Sequence, residues 1–382
     1  YIVLWRINMN KFLMTLATLV AFALSSVAHA EMKVSGFMQQ IIGMGDEVDG
    51  GINYKFNRFS FGADTTTDNG WTVGGSFAME YGSIGTGANS GYLPTSNSMY
   101  IQTDMATITI GSAADAVTAL MPRISAMVPG AGHDGGYQFL FDGGSIASNG
   151  VNFAEAYYAM ANNRINVALP SVNGFTVNVS YTPDMGINSA TGISRVAANA
   201  TESASHGETS HVAIQYSGEM DGISYTIGLG SINGNSIGTN GTAATSTNND
   251  LSSFTGAIKM TMGNIAFGVM AFDNGDSWGQ SEDADKADHS GYNVQATYNM
   301  GNISVGVGYA HEEKALGTAR ATTAQAGNLV AEDSVTMIGL GYDMGGGVNS
   351  YIQLSNGDHT DGDHSSTEVD PQVLFMGISL GF

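Results

Sequence analysis

Carboxylates and histidines gather at several places in this sequence. Asp358, Asp361 and Asp363, with His359 and His364, offer the oxygen and imidazole donors that a divalent cation takes. A run of solvated loop charges has the same composition, and the residues alone leave both readings open. Serine, histidine and aspartate are all frequent, but no spacing singles out a nucleophile, a base and an orienting acid. Gly228-Leu229-Gly230 precedes no helical pattern, so it does not read as a nucleotide-binding loop. Cysteine is absent, which removes thiolate chemistry and thiolate metal sites. No catalytic group and no cofactor are expected. Other charges lie where they would act on a passing solute instead of on a bond. Lys33 and Lys259 each stand between apolar neighbours, Arg58 and Arg164 each precede an apolar residue, and Asp115, Arg123, His133, Asp134 and Asp142 share one long polar stretch.

The elements that must position these residues are strands. Apolar side chains recur at every second residue, as in Ile165, Val167 and Leu169 before a short turn and Phe175, Val177, Val179 and Tyr181 after it. Val212 to Leu229 and Val294 to Tyr309 repeat the hairpin. The period predicts strands at 33–43, 51–63, 71–81, 97–104, 107–112, 163–170, 174–182 and 209–217. It predicts eight more at 222–230, 252–262, 264–272, 290–299, 302–311, 333–343, 347–355 and 371–382, about sixteen in all. Tight turns alternate with long polar connections, the longest at 113–162. That rhythm is the signature of a transmembrane antiparallel up-and-down β-barrel, with short turns facing the periplasm and long loops outside. Closure satisfies every backbone group, which an open sheet in lipid cannot do.

Parity then assigns the charges. With Phe59 and Phe61 toward lipid, Arg58 faces the lumen, and the same argument turns Lys33, Arg164 and Lys259 inward. A charge on the lipid face near the midplane costs a few kcal/mol, which gives the assignment a physical reason. Connection 113–162 has helix-forming residues at Ala114 to Met121, and Leu120, Met121, Ile124 and Met127 are placed to anchor it to the inner wall. On that reading Asp115, Asp134 and Asp142 project acid into the channel, with Arg123 and His133 near them; an ordinary solvated outer loop is the alternative. Tyr81, Tyr181, Tyr216, Tyr298 and Tyr309, at strand ends, read as interfacial girdles.

The two ends of the sequence fit a secreted barrel. Lys11, the apolar run Phe12 to Leu24 and the small-residue ending Ala28-His29-Ala30 read as a secretory signal cut after Ala30, leaving 31–382 as one barrel domain. Cleavage removes Arg6 and Lys11 and no acid, so the net charge of −22 becomes −24. That balance excludes a nucleic-acid partner and suits a surface that draws cations. Hydrophobic residues make up 43% but are spread in alternation, and Gly (52) far outnumbers Pro (6). At the other end Leu374, Met376, Ile378, Leu380 and Phe382 share one face and finish on an aromatic, like the terminal signature that the outer-membrane barrel assembly machinery reads.

Several segments resemble alphaproteobacterial general diffusion porins. These are Glu31-Met32-Lys33-Val34-Ser35-Gly36, Thr66 to Phe77, Ala106 to Gly111, Leu340 to Gly347 and the terminal Phe382, in that order. The resemblance implies a homotrimer of sixteen-stranded pores in the outer membrane of a Gram-negative bacterium, each with its third outer loop folded into the lumen as a constriction. It makes lipid, the assembly machinery and small hydrophilic solutes and cations the expected partners. The chain departs from the commoner porins in lacking their Pro-Glu-Phe-Gly type loop motif. The function expected is passive, cation-selective diffusion of small hydrophilic solutes and ions. An outer-membrane enzyme barrel and a secreted, soluble Gly-rich β adhesin are the competing classes.

Overall fold

The computed structural model describes residues 31–45, 52–84, 93–130, 163–184, 206–236, 250–275, 277, 289–316, 329–361 and 370–382. The segment expected to be a secretory signal, 1–30, lies outside them, as do His133, Asp134, Asp142, Asp363 and His364. Sixteen strands form one closed antiparallel barrel, each paired with its neighbours in the sequence and β1 paired with β16. They are β1 (Glu31–Gly45), β2 (Ile52–Thr66), β3 (Thr72–Ile84), β4 (Leu93–Gln102), β5 (Thr107–Ser112), β6 (Asn163–Ala168), β7 (Phe175–Asp184) and β8 (His206–Met220). The second half comprises β9 (Ile223–Ser236), β10 (Leu251–Met262), β11 (Ile265–Asp273), β12 (His289–Met300), β13 (Ile303–Leu316), β14 (Leu329–Gly345), β15 (Val348–Asp361) and β16 (Gln372–Gly381). Among the described residues one short helix, α1 (Ala116–Leu120), follows β5.

Turn chemistry fixes the register at the short-turn end. Asp221 and Gly222 carry positive φ values of 53° and 77°, and Asn173 and Gly174 carry 51° and 86°. Two successive left-handed residues match the twist of the strands they join, which is why Asp-Gly and Asn-Gly stand there. From these turns the alternation runs with a constant sense. Ile227, Leu229, Ile338, Leu340, Ile352 and Leu354 are exposed on the outer surface, while Thr255, Asn293, Gln295 and Ser355 are buried on the inner one. The polarity is inside out relative to a water-soluble barrel and suits a wall whose outer solvent is lipid. No helix among the described residues is long and apolar enough to cross a membrane; strands do the crossing.

The strands run further than the alternation of polarity does. β14 begins at Leu329 and β15 continues to Asp361, several residues beyond the apolar stretches at 333–343 and 347–355. Ser334 pairs with Asp358 and Asp333 with His359, so the ladder goes on after both faces have become polar. Beyond the lipid band nothing demands an apolar outer face, while the backbone still gains from pairing.

The lipid face carries a direct test. Ile338 is 54% exposed on the outer surface. Ile338→Lys is expected to lower barrel stability by about 2–4 kcal/mol if the residue lies near the midplane. Ser98, on the inner face opposite Gly111, should accept lysine with little change. Urea midpoints of the two variants refolded in bilayers measure the contrast.

Candidate channel constriction

Connection 113–162 joins β5 to β6, and its described part, 113–130, lies inside the barrel against the inner wall. The segment enters through α1. Asp115 caps the helix, its Oδ1 accepting from the backbone N–H groups of Val117 (2.8 Å) and Thr118 (3.0 Å). The Thr118 hydroxyl donates to Oδ2 at 2.7 Å, and the Ala116 N–H donates to the Ser180 hydroxyl of β7 at 3.0 Å.

The same carboxylate faces the wall. Arg164 Nη1 on β6 is 3.3 Å from Asp115 Oδ2, and His211 Nδ1 on β8 is 3.3 Å from Oδ1. Asp115 is 1% exposed, Arg164 2% and His211 0%. Burial alone would raise the carboxyl's pKa. The contact with His211, the charges of His211 (when protonated) and Arg164, and the Thr118 hydroxyl together hold it well below the usual carboxylate range. The expectation that Asp115 projects acid into the channel is therefore corrected. As a helix cap it must turn its oxygens back on its own backbone, and the wall closes over it. Arg164 does sit on the inner face, but it is covered by the inserted segment and spent on this pair instead of lining open water.

From α1 the segment crosses the inner face of the wall as far as β15. Val117, Leu120, Met121 and Ile124 are buried in a core with Ala213, Ile232, Leu251, Ala257, Met270 and Phe272 of β8 to β11, and Met127 packs against it. Polar side chains of the wall clamp the backbone between these contacts. The Gln215 amide donates to the Leu120 carbonyl. Gln295 Oε1 accepts from Met127 N–H at 3.0 Å and Val128 N–H at 2.8 Å, and the Thr297 hydroxyl donates to the Met127 carbonyl at 2.7 Å.

Where the segment comes closest to the wall, the wall residues are glycines. Ile227-Gly228-Leu229-Gly230, Val305-Gly306-Val307-Gly308 and Ile338-Gly339-Leu340-Gly341 each place two glycines on the inner face of one strand. A methyl built on Gly228 would come within 2.7 Å of Pro122 Cδ, and one on Gly306 within 2.9 Å of Val128 Cα. One on Gly339 would collide with the Pro129 carbonyl oxygen. Gly268 of β11 does the same for Ile124. The glycines form a groove in the wall, and the segment lies in it. A cavity of about 500 Å³ opens beside its end, between Met127 to Gly130 and wall residues that include Gln39, Asp343 and Tyr351.

The remaining sequence-predicted residues are spread around the bore. Arg58 stands opposite Phe37 on the inner face of β2 and is exposed. Lys259 is partly exposed on the inner face of β10, opposite Gly268. Lys33 lies near the short-turn end with its Nζ 3.0 Å from Asp64 Oδ1. On the inserted segment, Ala119, Arg123 and Ala126 are exposed while Ile124 and Ser125 are buried. Among the described residues of the segment, the charged side chain open to the bore is thus a base, Arg123. Asp358 is exposed on the outer face of β15, and its successor His359 takes the opposite place in the ladder, beside Asp333. No metal-ligand cluster occurs among the described residues. The sequence reading missed the glycine groove and its glutamines. The paired Gly-x-Gly steps on the polar parity of three strands were the available signal.

The terminal strand closes the barrel. Leu374, Met376, Ile378 and Leu380 are exposed on the outer face, while Val373 and Phe375 are buried inside. Phe382 exchanges backbone hydrogen bonds with Gly36 at 2.8 and 3.0 Å, and its ring packs over Gly36, with its centroid 6.0 Å from that of Phe59.

Comparison with known proteins agrees with this geometry. The chain is similar in structure to OmpTΔL8, a loop-deletion mutant of OmpT, an outer membrane protein of Vibrio cholerae, at a TM-score of 0.59 and 12% identity, over 92% of this chain and 99% of that one. It is also similar to a triple mutant of the Rhodopseudomonas blastica porin, at a TM-score of 0.56 and 16% identity, over 92% of this chain and all (100%) of the other. At such identities the likeness speaks for the fold. No curated relative matches the chain. The family model of Gram-negative porins matches residues 15–369, nearly the whole sequence. The closed sixteen-stranded barrel and this match lead to one conclusion: the chain belongs to the Gram-negative porin family, and is an outer-membrane β-barrel.

Proposed function

We propose that this porin is a passive diffusion channel for small hydrophilic solutes and ions, cation-selective at low salt, and that it works as a homotrimer. The observation that carries the channel reading is a closed barrel whose inserted segment hugs one side of the wall while Arg58, on the facing side, remains exposed. The outer faces of β2 to β4, where Phe61 stacks on Phe77 at 4.9 Å and Met99 is exposed, offer an apolar surface to neighbouring copies. Crosslinking in mild detergent should capture three copies.

Selectivity follows from where the charges lie. The net charge is −22, and the long connections carry dense acid: Asp276, Glu282, Asp283, Asp285 and Asp288 between β11 and β12, and Asp363 and Glu368 between β15 and β16. Such a rim concentrates cations. Deeper in, Arg58, Arg123 and Lys259 reach the bore, and Asp115 is neutralised by Arg164. The acids therefore act chiefly at the mouth, where screening is strongest. The Debye length falls from about 30 Å at 0.01 M to about 3 Å at 1 M salt. Reversal potentials in planar bilayers should show clear cation preference at low salt that vanishes toward molar salt. Neutralising Asp276 to Asp288 should weaken it at low salt. Anion preference at low salt would refute the reading. Absence of any conductance would remove the channel itself.

A further inference from the structure

We propose that the inward glycines of β9, β11, β13 and β14 set the bore of this channel, by fixing how deeply the inserted segment is recessed into the wall. The inference rests on the channel reading and goes beyond it. It assigns the control of pore size to residues that do not face the open pore at all.

Depth is set from behind because the segment is held at both ends. At its start Asp115 is bound to Arg164 and His211; near its end the Gln295 amide oxygen holds the N–H groups of Met127 and Val128. A segment tied at both ends cannot swing off the wall. If the wall thickens beneath it, its one way out is toward the lumen. Packing inside a protein transmits such a displacement, since the contacts leave no slack.

The contacts predict a graded series. A methyl on Gly268 meets Ile124 Cδ1 at 2.5 Å and Met127 Sδ at 2.7 Å, the tips of flexible side chains that can turn aside. One on Gly230 meets both methyls of Val117 at 2.9 Å, and valine is stiff at χ1. One on Gly339 meets the Pro129 carbonyl oxygen, and backbone cannot rotate away. Displacement of the segment should therefore rise from Gly268→Ala through Gly230→Ala to Gly339→Ala.

The test uses the full-length protein, purified as folded, heat-modifiable barrels. Single-channel conductance is measured in planar bilayers, and uptake of a neutral monosaccharide and disaccharide in vesicle-swelling assays. Conductance should fall in the stated order, by about twofold for Gly339→Ala, because throughput follows pore diameter. Disaccharide entry should fall more than monosaccharide entry. Val117→Ala should restore the parent bore in the Gly230→Ala background, since it removes the two methyls that collide, and should not rescue Gly339→Ala. Equal conductance across folded variants would overturn the inference, as would a rise in conductance or a failure of Val117→Ala to rescue. Should Gly339→Ala not assemble, the Gly230 and Val117 pair decides alone. A parent protein that does not conduct would sink the channel reading, whereas a conducting series indifferent to wall methyls would sink only this one.

Discussion

Asp115→Ala should release the inserted segment and widen the pore. The substitution takes away the carboxylate 3.3 Å from Arg164, a cation only 2% exposed, and it uncaps α1 at the same time. Breaking a buried pair from one side costs about 3–5 kcal/mol, and losing a cap adds about 1 kcal/mol. The closed sheet does not depend on this pair, so the barrel should still form while the segment lifts from its groove. Higher and noisier single-channel conductance is the expected reading, with a lower temperature for the gel-mobility shift. Adding Arg164→Met should recover much of the thermal loss, because removing both charges spares the desolvation that removing one does not. Unchanged conductance and mobility in Asp115→Ala would show that the segment is held elsewhere. The pH response follows from the same pair. The carboxyl's folded-state pKa is depressed, so its contribution is present in full above the unfolded value of about 3.9 and is lost only as pH falls through the lower folded value. Conductance should therefore stay flat from neutral pH to about pH 5 as far as Asp115 is concerned.

Phe382→Asp should remove most of the protein from the outer membrane. The residue pairs with Gly36 across the seam between β16 and β1, and its ring covers that glycine beside Phe59. We propose that the apolar face Leu374, Met376, Ile378, Leu380 and Phe382 is also what the assembly machinery reads. A carboxylate at the terminus then loses on two counts: it weakens the seam, and it puts charge on a face that must enter lipid. Fractionation should find the variant exported and accumulating outside the outer-membrane fraction. Full recovery of folded protein in that fraction would refute both roles. Phe382→Tyr, which keeps the ring, is the control and should assemble.

Most of the barrel was legible because the two solvents on its wall differ so sharply. Wherever one face meets lipid and the other water, side chains must alternate, and the sixteen segments found by that contrast are the sixteen strands of the sheet. Legibility stopped where the contrast stopped. The outer ends of β14 and β15 lack the contrast in different ways: Leu329 to Glu332 do not alternate, Asn356 to Asp361 are polar or glycine throughout, and the backbone ladders reveal both. The site was harder for a related reason. Asp115 reads in sequence as one more acid in a polar stretch, and nothing local shows that Arg164 and His211 converge on it from strands far along the chain. Gly228-Leu229-Gly230 was visible as a motif, but its meaning lies in what is missing above it. A groove is defined by its occupant, and the occupant is separated from Gly339 by half of the barrel's strands, β6 to β13.

The pairing of β1 with β16 also bears on how such a protein can change size over generations. Strands alternate in direction, and both ends of the described barrel lie at the short-turn rim. Inserting or losing one strand would leave first and last strands running the same way, and would move every later connection to the opposite side of the membrane. A duplicated or deleted hairpin avoids both faults, because it restores the direction and returns the chain to the rim it left. Pore diameter in this architecture can therefore be inherited only in coarse steps of two strands, while the recessed segment provides the fine adjustment between them.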